Sequence, residues 1–294
     1  AYTVNESELI IGGQGLRHNF VVKFLEESRH NLIIECKDAL GNRVHDEETF
    51  FVDHTVPAVS KRFSEPYFAQ EVGEDLIEWI SPQTQIIPVV EDAGPHKSGI
   101  KEVSYRTTLV ADENCRSTQI CQVAQGTGSF TPLSLPLSSQ SSFSINQESC
   151  HLIEIKATDN VDKSSLHKQC VFVDKSAPTP LKTVNEPKTI WNGNDSVWYP
   201  EETAHCWDGT ENQIECWKVT TMTPITLDCE DKEPHPVDHE KVFFNVGLDG
   251  DDVTPEYCGK VGGLPVKTDE GLFCLLDEEE APIEFLFTEE SEHN

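Results

Sequence analysis

Ten cysteines, 11 histidines and 52 acidic residues are the groups in this 294-residue chain that could do chemistry. No two cysteines form a C-x-x-C pair, the spacing that zinc and redox sites favour, and only one Met accompanies them. They read instead as disulfides, bonds that persist in oxidising compartments and rarely in an ordinary cytosol. Eight of them group locally, Cys115 with Cys121, Cys150 with Cys170, Cys206 with Cys216, and Cys258 with Cys274. Cys36 and Cys229 remain, and they are candidates for a bond to a neighbouring domain or subunit, with a direct bond within one chain as the alternative.

The carboxylates invite a calcium reading, because a hard cation takes oxygen ligands. Asp249, Asp251 and Asp252 surround Gly250 in a spaced acidic turn, but the twelve-residue loop with a closing Glu is missing, so a solvated acidic loop is the simpler reading. Asp159 and Asp162 flank Asn160 in a hairpin turn, where Asp and Asn are also favoured for turn geometry alone. Asp277 to Glu280 read as a solvated charge run. His235, Asp238 and His239 offer imidazole and carboxylate but no third clear ligand type or spacing for a transition metal. Asn5 and Asn194 open the N-x-S/T triplets Asn5-Glu6-Ser7 and Asn194-Asp195-Ser196, which are glycan acceptor candidates in an exported chain. Catalytic constellations are missing: there is no G-x-S-x-G, no Walker loop and no H-E-x-x-H, and Gly12-Gly13-Gln14-Gly15 is too short for a phosphate fingerprint. The expectation is a chain that is not an enzyme and requires no cofactor, with Ca²⁺ as the candidate ion.

The elements that must position these groups repeat. His30 to Asp38 followed by Phe51 to Pro57 recurs as His151 to Asp159 followed by Phe172 to Pro178, at a spacing of 121 residues. Lys61, Glu65 and Pro66 recur at the same offset as Lys182, Glu186 and Pro187. The front of the unit, Thr84 to His96, matches Thr223 to His235 at an offset of 139, which implies an insertion around Cys206 and Cys216. Phe24 to Asn31 matches Phe287 to Asn294. The sequence therefore predicts one complete domain over 58–178, the C-terminal part of a like domain over 1–57, and over 179–294 a like domain with an acidic insertion that lacks its last strands. Short runs such as Leu32-Ile33-Ile34 and Val171-Phe172-Val173, bounded by Gly41-Asn42 and Asp159-Asn160, have strand chemistry. Seven or so short strands in a unit of about 100 residues is the arithmetic of an immunoglobulin-like sandwich. The fold class expected is all-β, as tandem immunoglobulin-like β-sandwiches. In such a sandwich Cys229 and Cys36 fall at the two positions of an inter-sheet bridge, and the middle unit has Val90 at the first and Ile155 or Lys156 at the second.

Lys156-Ala157-Thr158-Asp159-Asn160-Val161-Asp162 and Val171-Phe172-Val173-Asp174-Lys175-Ser176-Ala177-Pro178 resemble the closing hairpin of bacterial and archaeal Ig-like repeats, a strand, a D-N-x-G-N turn, a strand and V-D-x-x-A-P. The chain departs from that pattern at Asp162, where glycine is usual, and in its cysteine content. The resemblance implies an elongated surface protein of the adhesin, stalk, filament or envelope type.

A formal charge of -30 argues against nucleic acid or an anionic membrane as partner. Residues after Pro178 hold 7 basic and 27 acidic side chains, so the acidity is regional. No apolar run reaches the roughly 20 residues of a membrane-spanning helix. These observations predict an extracellular or cell-surface structural and adhesive segment whose partners are copies of itself or adjacent repeats, with surface glycans or proteins as further partners. The alternative is a glycan- or protein-binding accessory module of a secreted multidomain protein.

Overall fold

The computed structural model describes residues 2–10, 16–138, 140–190, 217–231, 237, 241–248, 251–276 and 283–288. The chain divides into two compact units, 1–174 and 175–294. The architecture is all-β and built from immunoglobulin-like sandwiches, as the alternation of short apolar runs and turn residues predicts.

The first unit opens with two antiparallel hairpins, β1 (Tyr2–Ile10) with β2 (Leu16–Phe24) and β3 (Ser28–Lys37) with β4 (Arg43–Val52). The β3–β4 turn is fixed by Asp38, whose carboxylate accepts from Leu40 N and Asn42 N, each at 2.9 Å, with Gly41 supplying the positive φ of 93° that the reversal needs.

A sandwich follows. One layer pairs β5 (Ala58–Phe63) with β8 (Ile86–Glu91), and Phe143 bridges to Ile86 at its edge. The other layer contains β6 (Tyr67–Val72), β7 (Asp75–Ile80), β9 (Ile100–Leu109), the edge strand β10 (Thr131–Pro132), β11 (Ser149–Asp159) and β12 (Ser164–Val173), in the order β10-β9-β11-β12-β7-β6. The β12–β7 contact is parallel, Phe172 opposite Trp79 and Val173 opposite Ile80. Ile153, Ile155, Ala157, Val171 and Val173 turn inward to Ile86, Val103 and Phe143, with Val59, Phe63 and Val90 of the facing layer packed against them. Each such burial contributes about 1.5–3 kcal/mol.

β11 is buried on both faces, which is why its sequence does not alternate cleanly. Its outer face is covered by a 3₁₀ turn, Asp112–Asn114, and α1 (Thr118–Val123). Two disulfides staple this cover down, Cys115–Cys150 onto β11 and Cys121–Cys170 onto β12. The pairings expected from spacing, Cys115 with Cys121 and Cys150 with Cys170, are therefore corrected. Cys150 lies opposite Phe172 and Cys170 opposite Leu152, so the two hairpin cysteines are diagonal neighbours on one face, each reaching up to the cover. Beneath it Glu154 is buried and ion-paired with Arg106, whose Nη1 also donates to Gly128 O at 3.1 Å. Trp79 stacks on Phe172 as a core residue.

The second unit repeats this front half. β13 (Thr179–Val184) pairs with β16 (Ile225–Glu230), and β14 (Lys188–Ile190) with β15 (Trp217–Val219). Their registers equal those of β5–β8 and β6–β7 under the 121 and 139 offsets: Ala58 faces Glu91 as Thr179 faces Glu230, and Tyr67 faces Ile80 as Lys188 faces Val219. Even the turn is copied, since Thr84 Oγ1 accepts from Ser81 N at 3.0 Å and Thr223 Oγ1 accepts from Thr220 N at 2.9 Å. Beyond it lie β17 (Val242–Phe244), β18 (Gly247–Leu248), β19 (Asp251–Asp252), α2 (Thr254–Lys260), β20 (Leu264–Thr268), β21 (Gly271–Leu276) and β22 (Ile283–Phe285). A disulfide joins Cys258 on α2 to Cys274 on β21 within a core that includes Val184, Ile225, Phe244 and Phe285. Cys206, Cys216, Asn194, His235, Asp238, His239, Asp249 and Asp277 to Glu280 lie outside the described residues.

Candidate functional site

The groups that the repeat places at strand ends meet in the first unit. Asp53 follows β4, Asp92 follows β8 and Asp159 closes β11, and one carboxylate oxygen from each lies within 4.8 Å of the other two. All three are buried, with 7 %, 7 % and 0 % of their surface exposed.

Local turns aim each carboxylate. Asp159 Oδ1 accepts from Val161 N at 2.9 Å and Lys163 N at 2.8 Å in the β11–β12 turn. This turn requires Asp162 at a φ of 64°, the left-handed region that explains the usual glycine there. Asp53 Oδ1 accepts from Thr55 N at 3.2 Å and its Oδ2 from Ser98 N at 2.9 Å. Asp92 Oδ2 accepts from Gly99 N. The Ser98-Gly99 loop is itself held by Asn160, whose Nδ2 donates to Ser98 O and whose N donates to Gly99 O, both at 2.9 Å. Gly99 adopts a φ of 91°, and a Cβ there would approach Asn160 Nδ2 at 3.1 Å, so glycine is needed on both counts.

After these bonds, Asp92 Oδ1 and Asp159 Oδ2 remain buried with no hydrogen-bond partner, as does Ser98 Oγ. Buried carboxylate oxygens are costly unless a donor or a cation compensates them. Burial raises the Asp53 pKa, but hydrogen bonds from Ser98 and Thr55 and the Lys163 charge outweigh it, and the carboxyl stays below its ordinary range. The site therefore presents anionic oxygen and no nitrogen or sulfur. Oxygen ligands suit Ca²⁺, Mg²⁺ or Mn²⁺ over softer metals, and oxygens up to about 5 Å apart span a Ca²⁺ ion bound at about 2.3–2.6 Å. Asp53, Asp92 and Asp159 would hold such an ion.

Of the acids singled out in the sequence, only Asp159 belongs to this cluster. Asp162 points to solvent and pairs with Lys101 at 2.6 Å. Asp251 and Asp252 are exposed, and Asp252 Oδ1 accepts from Thr254 N at 2.9 Å at the start of α2. Asp251, Asp252 and Asp162 are thus corrected as metal ligands, since none of them joins a group of three acids, His or Cys among the described residues. Sequence reasoning missed Asp53 and Asp92, although the signal was there: each cluster position occurs twice, as Asp53 and Asp174, Asp92 and Asp231, Asp159 and Asp38.

The cluster also joins two elements. Glu27, in the β2–β3 turn, accepts from Thr55 Oγ1 and from His96 N at 3.4 Å, Phe51 contacts the His96 ring, and Ser165 Oγ donates to Pro57 O at 2.6 Å. The β3–β4 hairpin and the sandwich thus meet around the three aspartates.

Cys36 and Cys229 take no part in the three disulfides described above. Cys36 is exposed on β3 and Cys229 is partly buried on β16. The registers correct one correspondence: β3–β4 matches β11–β12 pair for pair, so the counterpart of Cys36 is Ala157 and not Ile155 or Lys156.

No protein-family model and no curated protein matches the chain. Among solved structures it is similar to protocadherin gamma B7 extracellular cadherin domains 1–4, at 13% identity and a TM-score of 0.25, over 96% of this chain and 60% of that one. The chain thus spans about 60% of the length of that structure, and a likeness of this size carries no functional argument. No helix of the described residues is long and apolar enough to cross a membrane.

Proposed function

We propose that this chain is a non-catalytic repeat segment of an extracellular structural or adhesive protein, of the filament, stalk or envelope kind, in which a bound Ca²⁺ fixes the junction between one repeat and the next. The carrying observation is the burial of three converging aspartates at the hairpin–sandwich junction, two of them with unpartnered oxygens. The disulfides support an oxidising, extracellular setting, and the junction phrases that resemble bacterial and archaeal Ig-like repeats support a tandem array. An ion at the junction removes the repulsion among three carboxylates and ties Asp53, beyond β4, to Asp92 and Asp159 of the sandwich. Its chemical work is mechanical. Copies of the chain or adjacent repeats are the partners of such a segment.

Thermal unfolding in EDTA and in CaCl₂ tests this reading. An ion that binds only the folded state adds about 2.7 kcal/mol at a hundredfold excess over its dissociation constant. Calcium is expected to raise the melting temperature of the wild type, and Asp92→Asn or Asp159→Asn to abolish that rise while folding in EDTA. A wild-type melting temperature indifferent to calcium overturns the reading.

A further inference from the structure

The first unit carries a hairpin whose inward face has no sandwich of its own, and the second unit carries the front of a sandwich. In β11–β12 the inward row is Ile153, Ile155, Ala157, Val171 and Val173, all buried. The 121-residue offset names Leu32, Ile34, Cys36, Phe50 and Val52 as the same row of β3–β4. There Ile34 is 50 % exposed and Cys36 is exposed, whereas their counterparts Ile155 and Ala157 are 0 % exposed. Phe51 is 65 % exposed where its counterpart Phe172 is 1 % exposed. Among the described residues of 175–294 there is no counterpart of β11–β12, while β13–β16 and β14–β15 reproduce the strands on which that hairpin packs in the middle sandwich. The two complementary pieces of one sandwich are therefore present in this chain, in matched register.

We infer that the β3–β4 hairpin of one copy docks on the 175–294 unit of a second copy and completes its sandwich, joining copies head to tail. The inference rests on the reading of the chain as a repeat segment, and it names the partner and the contact. The middle sandwich supplies the template. Phe172 and Val173 run parallel to Trp79 and Ile80, so Phe51 and Val52 of the incoming hairpin run beside Lys218 and Val219 of β15. Val90 and Ala157 share one core, so Cys229 and the incoming Cys36 occupy facing positions of the new one. Asp38 holds its turn as Asp159 does, with Oδ1 accepting from the amides two and four residues on, and docking brings it to Asp231, the counterpart of Asp92. One donor face and one acceptor face per copy make a heterologous contact, which propagates as an open chain.

Sedimentation velocity of the 294-residue protein in calcium, over a concentration series, is the test. The expected result is a species that lengthens with concentration, and Ile34→Asp, a change at an exposed position of the isolated copy, is expected to raise the dissociation constant at least about tenfold. Asp38→Asn is expected to weaken association without altering the calcium-dependent melting shift set by Asp92 and Asp159. Under oxidised glutathione, Cys36 and Cys229 thiols give up two protons and two electrons to the glutathione disulfide. With mixed ¹⁴N and ¹⁵N chains, the linked Cys36–Cys229 peptide should carry both labels. A monomer at every concentration, association unaffected by Ile34→Asp, or a singly labelled linked peptide overturns the inference. A monomer that still shows the calcium melting shift overturns the docking alone, whereas loss of the shift in wild type overturns the junction reading.

Discussion

Lys61 shows how far burial alone can move a side chain in this sandwich. Its ammonium lies 3.6 Å from Glu78 and 3.3 Å from the centre of the Phe63 ring, with 6 % of the side chain exposed. Burial pulls its pKa from 10.5 down to about 8, against the opposing pull of the Glu78 charge. The unfolded chain therefore binds more protons than the folded one between about pH 8 and 10.5, and stability rises with pH across that window. Tyr67, which donates to Glu78 at 2.7 Å, is pushed by burial above its ordinary 10.0, so its contribution is lost only at higher pH. Denaturant unfolding is expected to show a gain of up to about 2–3 kcal/mol from pH 8 to pH 10, and Lys61→Met to flatten it. None of this was legible in the sequence, where Lys61 is a junction residue repeated as Lys182. Burial is a tertiary property, and neither spacing nor residue type reports it. Asp159 was legible as an acid in a special turn. Its partners Asp53 and Asp92 come from other strand ends, and only the fold says that those ends converge.

At the level of elements, the disulfide pairing separates what spacing can say from what register decides. Nearest-neighbour grouping fits Cys258 and Cys274, 16 residues apart, but fails for the other four, because the segment over 112–123 folds back on the sheet face that carries Cys150 and Cys170. The strands themselves were readable, since β-branched runs between turn residues are a local signal, and the repeat offsets carry over to the pairing registers without a slip. The cover was not readable, because its role is to bury Leu152, Glu154 and Phe172 and its own sequence is short and polar. Closing loops of 35 and 49 residues, each staple contributes about 4 kcal/mol in the chain-entropy account. Cys115→Ala with Cys150→Ala should lower stability by about that amount and expose Phe172 and Trp79. The expected signature is a lower denaturation midpoint together with faster amide exchange in β11 and β12 than in β5 and β8.

For the whole molecule the dominant fact is charge. With -30 overall, and 27 acidic against 7 basic side chains after Pro178, the folded chain repels itself, and a head-to-tail contact brings an acidic unit against a hairpin that itself holds five acids and three bases. Apolar burial must overcome that repulsion, which places cations at the centre of both folding and association. Monovalent salt screens only over the Debye length, about 10 Å at 0.1 M, and acts on exposed charges, whereas an ion bound among Asp53, Asp92 and Asp159 acts inside the protein where salt penetrates poorly. The two should therefore separate experimentally. In EDTA, added NaCl is expected to raise the melting temperature steadily as surface repulsion is screened. In saturating calcium the curve should start higher and rise by the same increment, because the bound ion neutralises buried carboxylates that NaCl does not reach. For Asp92→Asn the calcium and EDTA curves should coincide at every ionic strength. If NaCl alone reproduces the full effect of calcium on the wild type, the cation acts as a diffuse counter-charge to the acidic surface and not as a ligand of the three aspartates.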